Sequence, residues 1–227
     1  MNDHDRAAVL AAVAAETQSC QLCRLCKSAT RAVPGEGPAD ARIMFIGEAP
    51  GYHEDRQGRP FVGPAGQLLE ELLATIGLAR KDVYIGNVVK HRPPGNRDPL
   101  PDEIEACKPY LERQIAAINP AIIVALGRFA MAQFMPGATI SQVHGRARRV
   151  NGRLFMPIIH PAAALRRPDW RKMLEEDFQS LGRAMANVPA GGMDEVSGAD
   201  EVDLTAQTGG ARASQTAGER AEQMSLF

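Results

Sequence analysis

Three polar side chains of different chemistry stand at or near the ends of apolar segments. Glu48 follows ARIMFIG in the turn Gly47–Gly51, Asn87 lies within DVYIGNVVK, and His160 ends RLFMPIIH. A carboxylate can balance a developing cation, an amide both donates and accepts hydrogen bonds, and an imidazole donates or takes a proton. If these side chains meet in the fold, they form a set suited to breaking a glycosidic bond between a sugar and a base.

The cysteines form a second set. Cys20, Cys23 and Cys26 follow a C-x2-C-x2-C pattern near the N-terminus, and Cys107 lies far along the chain. This spacing is typical of metal or iron–sulfur ligands. A redox dithiol is the alternative, although no thioredoxin-like context surrounds the pattern, and four unrelated buried thiols are a third interpretation.

Short apolar runs that alternate with helical patterns must position these groups. Strands are predicted over Ala41–Ala49, Asp82–Lys90 and Ala121–Gly127, followed by a hairpin of Arg146–Val150 and Arg153–His160 around Asn151-Gly152. Helices are predicted over Gly66–Ile76, Pro101–Ile118, Arg128–Phe134 and Asp169–Ala186. The alternation predicts an α/β fold, a three-layer α/β/α arrangement with a central, mostly parallel, four-stranded sheet.

Ligands of open parallel sheets bind beyond the carboxyl ends of the strands. Four segments are predicted at such ends, namely Gly47–Gly51, Asn87 with Lys90-His91, Gly127-Arg128 and His160–Leu165. Their convergence is more informative than any one of them, because each alone could be an ordinary turn. The loop GRPFVGPAG that follows the first segment could hold a phosphate with its amides, while Phe61 within it suits a core position as well as a binding surface.

Charge and composition divide the chain in two. Residues 188–227 carry seven acids and two arginines, a net charge of −5, so residues 1–187 carry +4 in a chain whose total is −1. We predict one folded domain over 1–187 and a disordered acidic tail over 188–227, whose composition buries too little apolar area. No apolar run approaches the ~20 residues of a membrane span and the N-terminus lacks a signal peptide, so we expect a cytoplasmic, nucleoid-associated protein.

The segments GEAPG, GRPFVGPAG, NVVK and HPAAAL, in this order, resemble the family 4 uracil-DNA glycosylases, the iron–sulfur group of bacteria and archaea. The resemblance runs from about Cys20 to about Ala186. It implies a monofunctional enzyme that flips deoxyuridine out of single- or double-stranded DNA and hydrolyses its N-glycosidic bond, the first step of base excision repair. We expect such an enzyme to act as a monomer.

The resemblance also assigns roles around the base. Phe61 would stack on uracil and Asn87 would pair with its polar edge, while the backbone of Gly47, Ala49 and Gly51 would surround it. His160 and the amides of this turn would stabilise charge on uracil O2. Glu48 is the first candidate and Glu54 the second for the carboxylate that balances the sugar cation and orients water. Related families place an acid where this chain has Ala49, so the choice of carboxylate stays open.

Contacts to DNA are implied around this pocket. Leu165 resembles the wedge that fills the gap left by a flipped base, with an exposed loop leucine as the alternative. Arg166, Arg92 and Arg97 would meet phosphates, as would the amides near Gly63 and Gly66. Lys90 would also meet phosphate rather than form a Schiff base with the sugar.

A 4Fe-4S cluster is the implied cofactor. Cys20, Cys23 and Cys107 match the family pattern, but the third ligand position holds His91 instead of cysteine. Either His91 ligates iron, or Cys26 takes over, or one ligand has been lost. A histidine also stands there in relatives that crosslink to DNA, but this chain lacks their additional basic loop, which favours turnover over a covalent trap.

The last five residues, Gln223–Phe227, resemble the short peptide by which bacterial repair proteins bind the replication sliding clamp. A frayed terminus is the alternative. Two other functions also remain open for the whole chain. One is a DNA-binding adaptor without activity, and the other is a covalent uracil sensor.

Overall fold

The computed structural model describes residues 1–188. The predicted tail therefore lies outside the described residues except for Val188, and so does the clamp-like peptide. No helix within the described part has the length and hydropathy required to cross a bilayer.

The centre of the fold is a five-stranded sheet of order β2-β1-β3-β5-β4. Its strands are β1 (Ile43–Gly47), β2 (Tyr84–Asn87), β3 (Ile122–Leu126), β4 (Arg148–Val150) and β5 (Arg153–Ile158). Strands β2, β1, β3 and β5 run parallel, and β4 pairs antiparallel with β5 through a hairpin turn at Asn151-Gly152. The predicted mostly parallel sheet is confirmed, but the count of four strands was wrong by one, because the first arm of the predicted hairpin joins the sheet edge.

Eight helices pack around this sheet in the described part of the chain. They are α1 (Asp3–Gln18), α2 (Tyr52–Gln57), α3 (Pro64–Thr75), α4 (Pro101–Ile118), α5 (Arg128–Ala132), α6 (Ile140–Val143), α7 (Pro161–Ala164) and α8 (Pro168–Ala186). The four predicted helices correspond to α3, α4, α5 and α8, with bounds that differ by a few residues at most. Proline begins α3, α4, α7 and α8, where its missing N–H costs no helical hydrogen bond.

Successive side chains of each strand point to opposite faces of the sheet, where they pack into two separate hydrophobic cores. On one face, Phe45 and Val124 pack with Leu69 of α3 and Phe178 of α8. On the other face, Met44 and Ile123 pack among residues of α1, α4 and α5, including Val13 and Leu111. This is the predicted three-layer α/β/α arrangement, since each strand must bury both of its faces.

The parallel register brings the predicted functional segments to one edge. Gly47 at the end of β1 pairs with Asn87 at the end of β2. Strands β3 and β5 end beside them, so Gly127 and His160 follow on the same edge. The fold thus brings together the strand-end segments that lie far apart in the chain.

Candidate active site

A cavity of about 480 Å³ opens at the carboxyl edge of the sheet. The three side chains singled out from the sequence, Glu48, Asn87 and His160, all line it. It is further lined by Ala49, Pro50, Gly51, Glu54, Phe61, Ala65, Pro93, Asn96, Arg97, Ala162, Ala163, Arg166, Arg167 and Trp170. The predicted common cavity is therefore present, and it is large enough for a small ring compound.

Asn87 presents an unsatisfied amide to this cavity. The residue is 1% exposed, and neither its side-chain oxygen nor its side-chain nitrogen has a hydrogen-bond partner among the described residues. A buried polar group without a partner costs about 1–3 kcal/mol, so it is kept only where something else supplies the partner. The amide is arranged to receive one donor and one acceptor from a ligand.

Phe61 lies against Asn87 because Gly47 leaves room for both. A Cβ at Gly47 would overlap the Asn87 amide oxygen and lie 2.7 Å from the Phe61 ring. Phe61 itself has a left-handed backbone, with φ 51°, which side chains rarely adopt. Its carbonyl accepts a hydrogen bond of 2.8 Å from Arg80 and crowds the Cα of Gly66. Such strain, held by its surroundings, is typical of functional positions.

Glu54 fastens the two loops that frame the cavity. One carboxylate oxygen accepts from the amides of Val62 and Gly63 at 2.9 and 2.8 Å, and the other accepts from Gly51 at 3.1 Å. Three backbone donors on one carboxylate leave it little capacity to orient a water. The geometry gives Glu54 a loop-positioning role and leaves Glu48 as the better-placed carboxylate.

His160 is held as a neutral imidazole. Its Nδ1 accepts a hydrogen bond of 3.1 Å from the amide of Ala162, which places the ring proton on Nε2. Burial lowers its pKa to about 4, against a smaller opposing effect of Glu54. The ring stacks on Phe61 with an angle of 29° between the ring planes and 5.7 Å between centroids. His160 is thus a hydrogen-bond donor beside an aromatic face.

A buried pair supports the strand that carries His160. The Asp177 carboxylate contacts Nδ1 of His144 at 2.9 Å, and both residues are buried. The amide of Ile159 also donates to Asp177, which lowers the pKa of that carboxyl, although burial raises it more. Helix α8 therefore holds the main chain immediately before His160, a contact that no sequence motif indicated.

Glu48 has the electrostatics of a group that titrates near neutrality. Burial, and after it the nearby Asp98 carboxylate, raise its pKa to about 7 against the opposing effect of Arg128. Arg128 forms an ion pair with Asp98 at the same edge of the sheet. The sequence singled out Arg128 by its position at a strand end, but Asp98 carried no recognisable signal.

Three of the four cysteines converge. Cys107 is buried on α4, and this burial, with smaller contributions from Cys23 and Cys20, raises its thiol pKa to about 11. Cys26 lies beside Cys23 and donates to its carbonyl at 3.2 Å. Within the described residues, no group of three or more His, Cys, Asp or Glu side chains is arranged to hold a single metal ion.

His91 is buried in the loop after β2. Burial lowers the pKa of its imidazole, and the Asp55 carboxylate opposes this effect. The choice between His91 and Cys26 stays a prediction.

Lys90 does not reach phosphate, contrary to the expectation from the sequence. The residue is completely buried, and its ammonium group donates to the Asn87 carbonyl and to Gln114. Burial lowers its pKa to about 8. A lysine at a strand end is predicted to reach phosphate because the sequence gives no sign of the buried Gln114 that receives it.

The residues predicted to contact DNA fall into two groups. Leu165 and Arg166 are exposed just beyond α7, and Arg166 lines the cavity. Gly63 and Gly66 use their amides inside the protein, donating to Glu54 and to the Gly63 carbonyl respectively. The structure thus gives these two glycines a packing role in place of a phosphate contact.

Arg92 and Arg97 belong to the loop after β2. Arg97 makes two hydrogen bonds, of 2.8 and 2.7 Å, to the buried carboxylate of Glu103, and it also reaches the cavity wall. The guanidinium of Arg92 lies 5.2 Å from the ring centre of Tyr52, which is 53% exposed. Glu103 anchors this loop at the first turn of α4.

One aromatic residue that lines the cavity was not identified from the sequence. Trp170 of α8 lines the cavity, and the Arg167 guanidinium lies 5.0 Å from its ring centre. This is the only tryptophan of the chain, a rarity that is itself a weak signal. Arg167 over Trp170 thus resembles the pair of Arg92 over Tyr52, and the pair of Arg167 and Trp170 lines the cavity.

Comparison with known proteins places this site in a family. The family model described as the uracil DNA glycosylase superfamily matches residues 34–182. A type-4 uracil-DNA glycosylase of Archaeoglobus fulgidus is 52% identical over 166 residues, which is 69% of this chain and 83% of the relative. Enzymes of the same description from Saccharolobus solfataricus and Thermotoga maritima are 50% and 47% identical, over 78% and 66% of this chain and 87% and 81% of their own length.

Within the described residues, the α/β/α fold brings an aromatic ring, an amide without a partner and a neutral imidazole into one cavity, an arrangement suited to a small planar polar ring. The chain belongs to the uracil-DNA glycosylase superfamily. The resemblance seen in the sequence motifs is confirmed.

The state of His160 can be measured directly. Since its pKa is lowered to about 4 from 6.5, the imidazole signal in an NMR titration should stay in the neutral position from pH 8 down to about pH 5. The same signal in urea-unfolded protein should titrate near 6.5, and His160→Gln identifies it by its loss. Because the folded state binds this proton less tightly, protonation should lower stability as pH falls from about 6.5 to about 4. A midpoint near 6.5 in the folded protein would contradict the lowered pKa of His160.

Proposed function

We propose that this protein hydrolyses the N-glycosidic bond of deoxyuridine that has been flipped out of DNA, releasing uracil. The single observation that carries the proposal is the buried, unpartnered amide of Asn87 facing a cavity walled by Phe61. The relatives described as type-4 uracil-DNA glycosylases support the same substrate. A base inside a duplex cannot reach such a cavity, so the nucleotide must leave the stack.

The amide of Asn87 would select uracil by hydrogen bonding. Its nitrogen donates to uracil O4 and its oxygen accepts from N3–H, while Phe61 stacks on the ring. Cytosine offers a donor and an acceptor in the reverse positions, so two buried groups would stay unpaired. A mismatch of this kind costs several kcal/mol and gives strong discrimination.

His160 would stabilise the leaving uracil. As the C1′–N1 bond breaks, negative charge develops on uracil O2, and the Nε2–H of a neutral imidazole can donate to it. Amides of the turn Gly47–Gly51 can add further donors, because its glycines let the backbone approach the base. The imidazole needs no proton from solvent for this task, since Ala162 already fixes its tautomer.

Glu48 would act on the sugar. The transition state of glycoside hydrolysis carries positive charge on the sugar, and an ionised carboxylate nearby stabilises it and orients the attacking water. Ala49 offers no functional group, so Glu48 is the carboxylate of the turn. With a pKa of about 7 it is ionised only in neutral to alkaline solution.

Hydrolysis by water fits the site better than Schiff-base chemistry. No lysine lines the cavity among the described residues, and the Lys90 ammonium is committed to Asn87 and Gln114. An assay of uracil release distinguishes hydrolysis from the adaptor and covalent-sensor alternatives.

DNA would approach the rim of the cavity. Arg97, Arg166 and Arg167 line the cavity, Arg92 lies on the same loop as Arg97, and guanidinium groups suit phosphate. The exposed Leu165 can enter the gap left by the flipped nucleotide. Tyr52 and Trp170, each paired with an arginine, offer faces for neighbouring bases, as in proteins that bind single strands.

We also propose a 4Fe-4S cluster held by Cys20, Cys23, Cys107 and His91, with Cys26 as the alternative fourth ligand. The mutual proximity of three thiols supports the assignment. A bound cluster would crosslink the N-terminal segment, the loop after β2 and α4. The residues of that loop, Arg92 and Arg97, would then keep a fixed place at the rim.

The peptide Gln223–Phe227 is proposed to bind the replication sliding clamp. A glutamine with spaced apolar side chains suits a hydrophobic pocket, and tethering would raise the local concentration of enzyme on DNA. The described residues take no part in this proposal.

Uracil release from a labelled oligonucleotide, followed by alkaline cleavage, tests the main proposal. Wild type should yield an abasic site and turn over repeatedly. Asn87→Ala and His160→Ala should each slow release by about 100-fold or more, since each removes a group that acts in the transition state. Intact DNA would favour an adaptor, and a heat-stable protein–DNA adduct on a denaturing gel would favour a covalent sensor.

The pH dependence of release should follow Glu48. Release should rise with pH as Glu48 ionises and level off above about pH 7. Glu48→Gln should be slowed about 100-fold and lose this rise. Because the folded state binds the Glu48 proton more tightly than the unfolded chain, stability should fall as the pH rises from about 4.5 to about 7 and stay lower above that, so Glu48→Gln should melt higher than wild type at pH 8. A rise that persists in Glu48→Gln would exclude Glu48 as its source.

Iron content measures the cofactor proposal. Protein purified without oxygen should contain about four iron atoms per chain and absorb visible light. Cys107→Ala and His91→Ala should both lower iron content, whereas Cys26→Ala should retain it. The opposite result for the last two variants would make Cys26 the ligand.

Removing the last five residues tests the clamp proposal. Protein truncated after Glu222 should fail to be captured by immobilised sliding clamp, yet should release uracil from short oligonucleotides at the wild-type rate. Undiminished capture would show that the peptide is not the contact.

A further inference from the structure

The buried ammonium group of Lys90 lies directly behind the residue proposed to read the base. Its Nζ donates to the main-chain carbonyl of Asn87 and to Oε1 of Gln114, both at 2.7 Å. The side chain is 0% exposed. Burying a cationic group is costly unless it is well hydrogen-bonded, so its place here calls for a physical reason.

The position of β2 in the sheet supplies this reason. β2 is an edge strand, with β1 as its neighbour on one side. On its outer side Glu36 exchanges two backbone hydrogen bonds with Ile85, of 2.9 and 2.8 Å. Carbonyls two residues apart on a strand point the same way, so the carbonyl of Asn87 faces outward as Ile85 does. Lys90 supplies there the donor that a further strand would otherwise give.

Further hydrogen bonds hold Lys90 and its partner Gln114 in place. Gln114 of α4, which accepts from its ammonium group, donates to the Pro34 carbonyl at 2.6 Å and to the Tyr84 hydroxyl at 3.0 Å. The amide of Lys90 donates to the Cys107 sulfur at 3.3 Å. The carbonyl of Asn87 is therefore fixed to α4 and to the chain before β1 by a connected buried network.

We propose that Lys90 is a positioning residue for uracil recognition, acting on Asn87 through its backbone carbonyl. The proposal rests on the role of Asn87 under the proposed function. Without this donor the end of the edge strand can shift, and the side-chain amide shifts with it. The hydrogen bonds to uracil would suffer, while the arginines and Leu165 at the rim would bind DNA as before.

A double-mutant cycle tests this coupling. Lys90→Met keeps the length of the side chain and removes the donor. It should slow single-turnover release at saturating DNA by about tenfold or more, the effect of losing one hydrogen bond to a charged group, with little change in DNA affinity. In the Asn87→Ala background the same substitution should change the rate less than threefold. Equal effects in both backgrounds would overturn the proposal.

Tyr84→Phe is the matched control. It removes a hydroxyl at the far end of the same network without touching Lys90 or Asn87, so its release rate should equal that of wild type even if it melts lower. Inhibition by free uracil gives a second measurement, and Lys90→Met should weaken it at least as much as it slows release. Unchanged inhibition together with a slowed rate would also overturn the proposal.

If Lys90→Met does not fold, Gln114→Met gives the same test. It removes the acceptor that holds the ammonium group. It should slow release when Asn87 is present but not in the Asn87→Ala variant. Additive effects of Gln114→Met and Asn87→Ala would contradict the coupling. The two proposals fail differently, because a wild-type protein that releases no uracil rejects the proposed function before the cycle is measured.

Discussion

The site depends on one close approach, that of Phe61 and Asn87 over Gly47. The missing side chain at the end of β1 lets an aromatic face and an unpaired amide share one wall of the cavity. Neighbouring residues hold this arrangement in place. The left-handed Phe61 is held by Gly66 and Arg80, and its loop is fastened by Glu54. Strain and an unpaired polar group are both costly, and the rest of the fold must offset them.

Much of the fold was predictable because its signals are local and repeated. Apolar runs gave β1, β2 and β3, and Asn151-Gly152 gave the hairpin. The common edge of Glu48, Asn87 and His160 followed from the geometry of parallel strands. The strand count failed only where one arm of that hairpin was not added to the sheet.

The parts that could not be predicted are contacts between distant polar groups. No local pattern shows that Glu54 accepts three amides, that Lys90 turns inward, or that Asp177 reaches the main chain before His160. Such contacts depend on which helix lies over which loop, and that is known only once tertiary packing is known. Sequence patterns therefore identified the residues of the site better than they identified the residues that hold them.

The short strand β4 has a consequence for the free protein in solution. It closes one side of the sheet with only three residues, and Arg148 and Arg149 on it are both exposed. Short edge strands with positively charged side chains repel a second copy. Such a copy could otherwise pair its own strand with the unpaired backbone N–H and C=O groups of the edge. These features of β4 disfavour pairing between the strands of two copies along that side of the sheet.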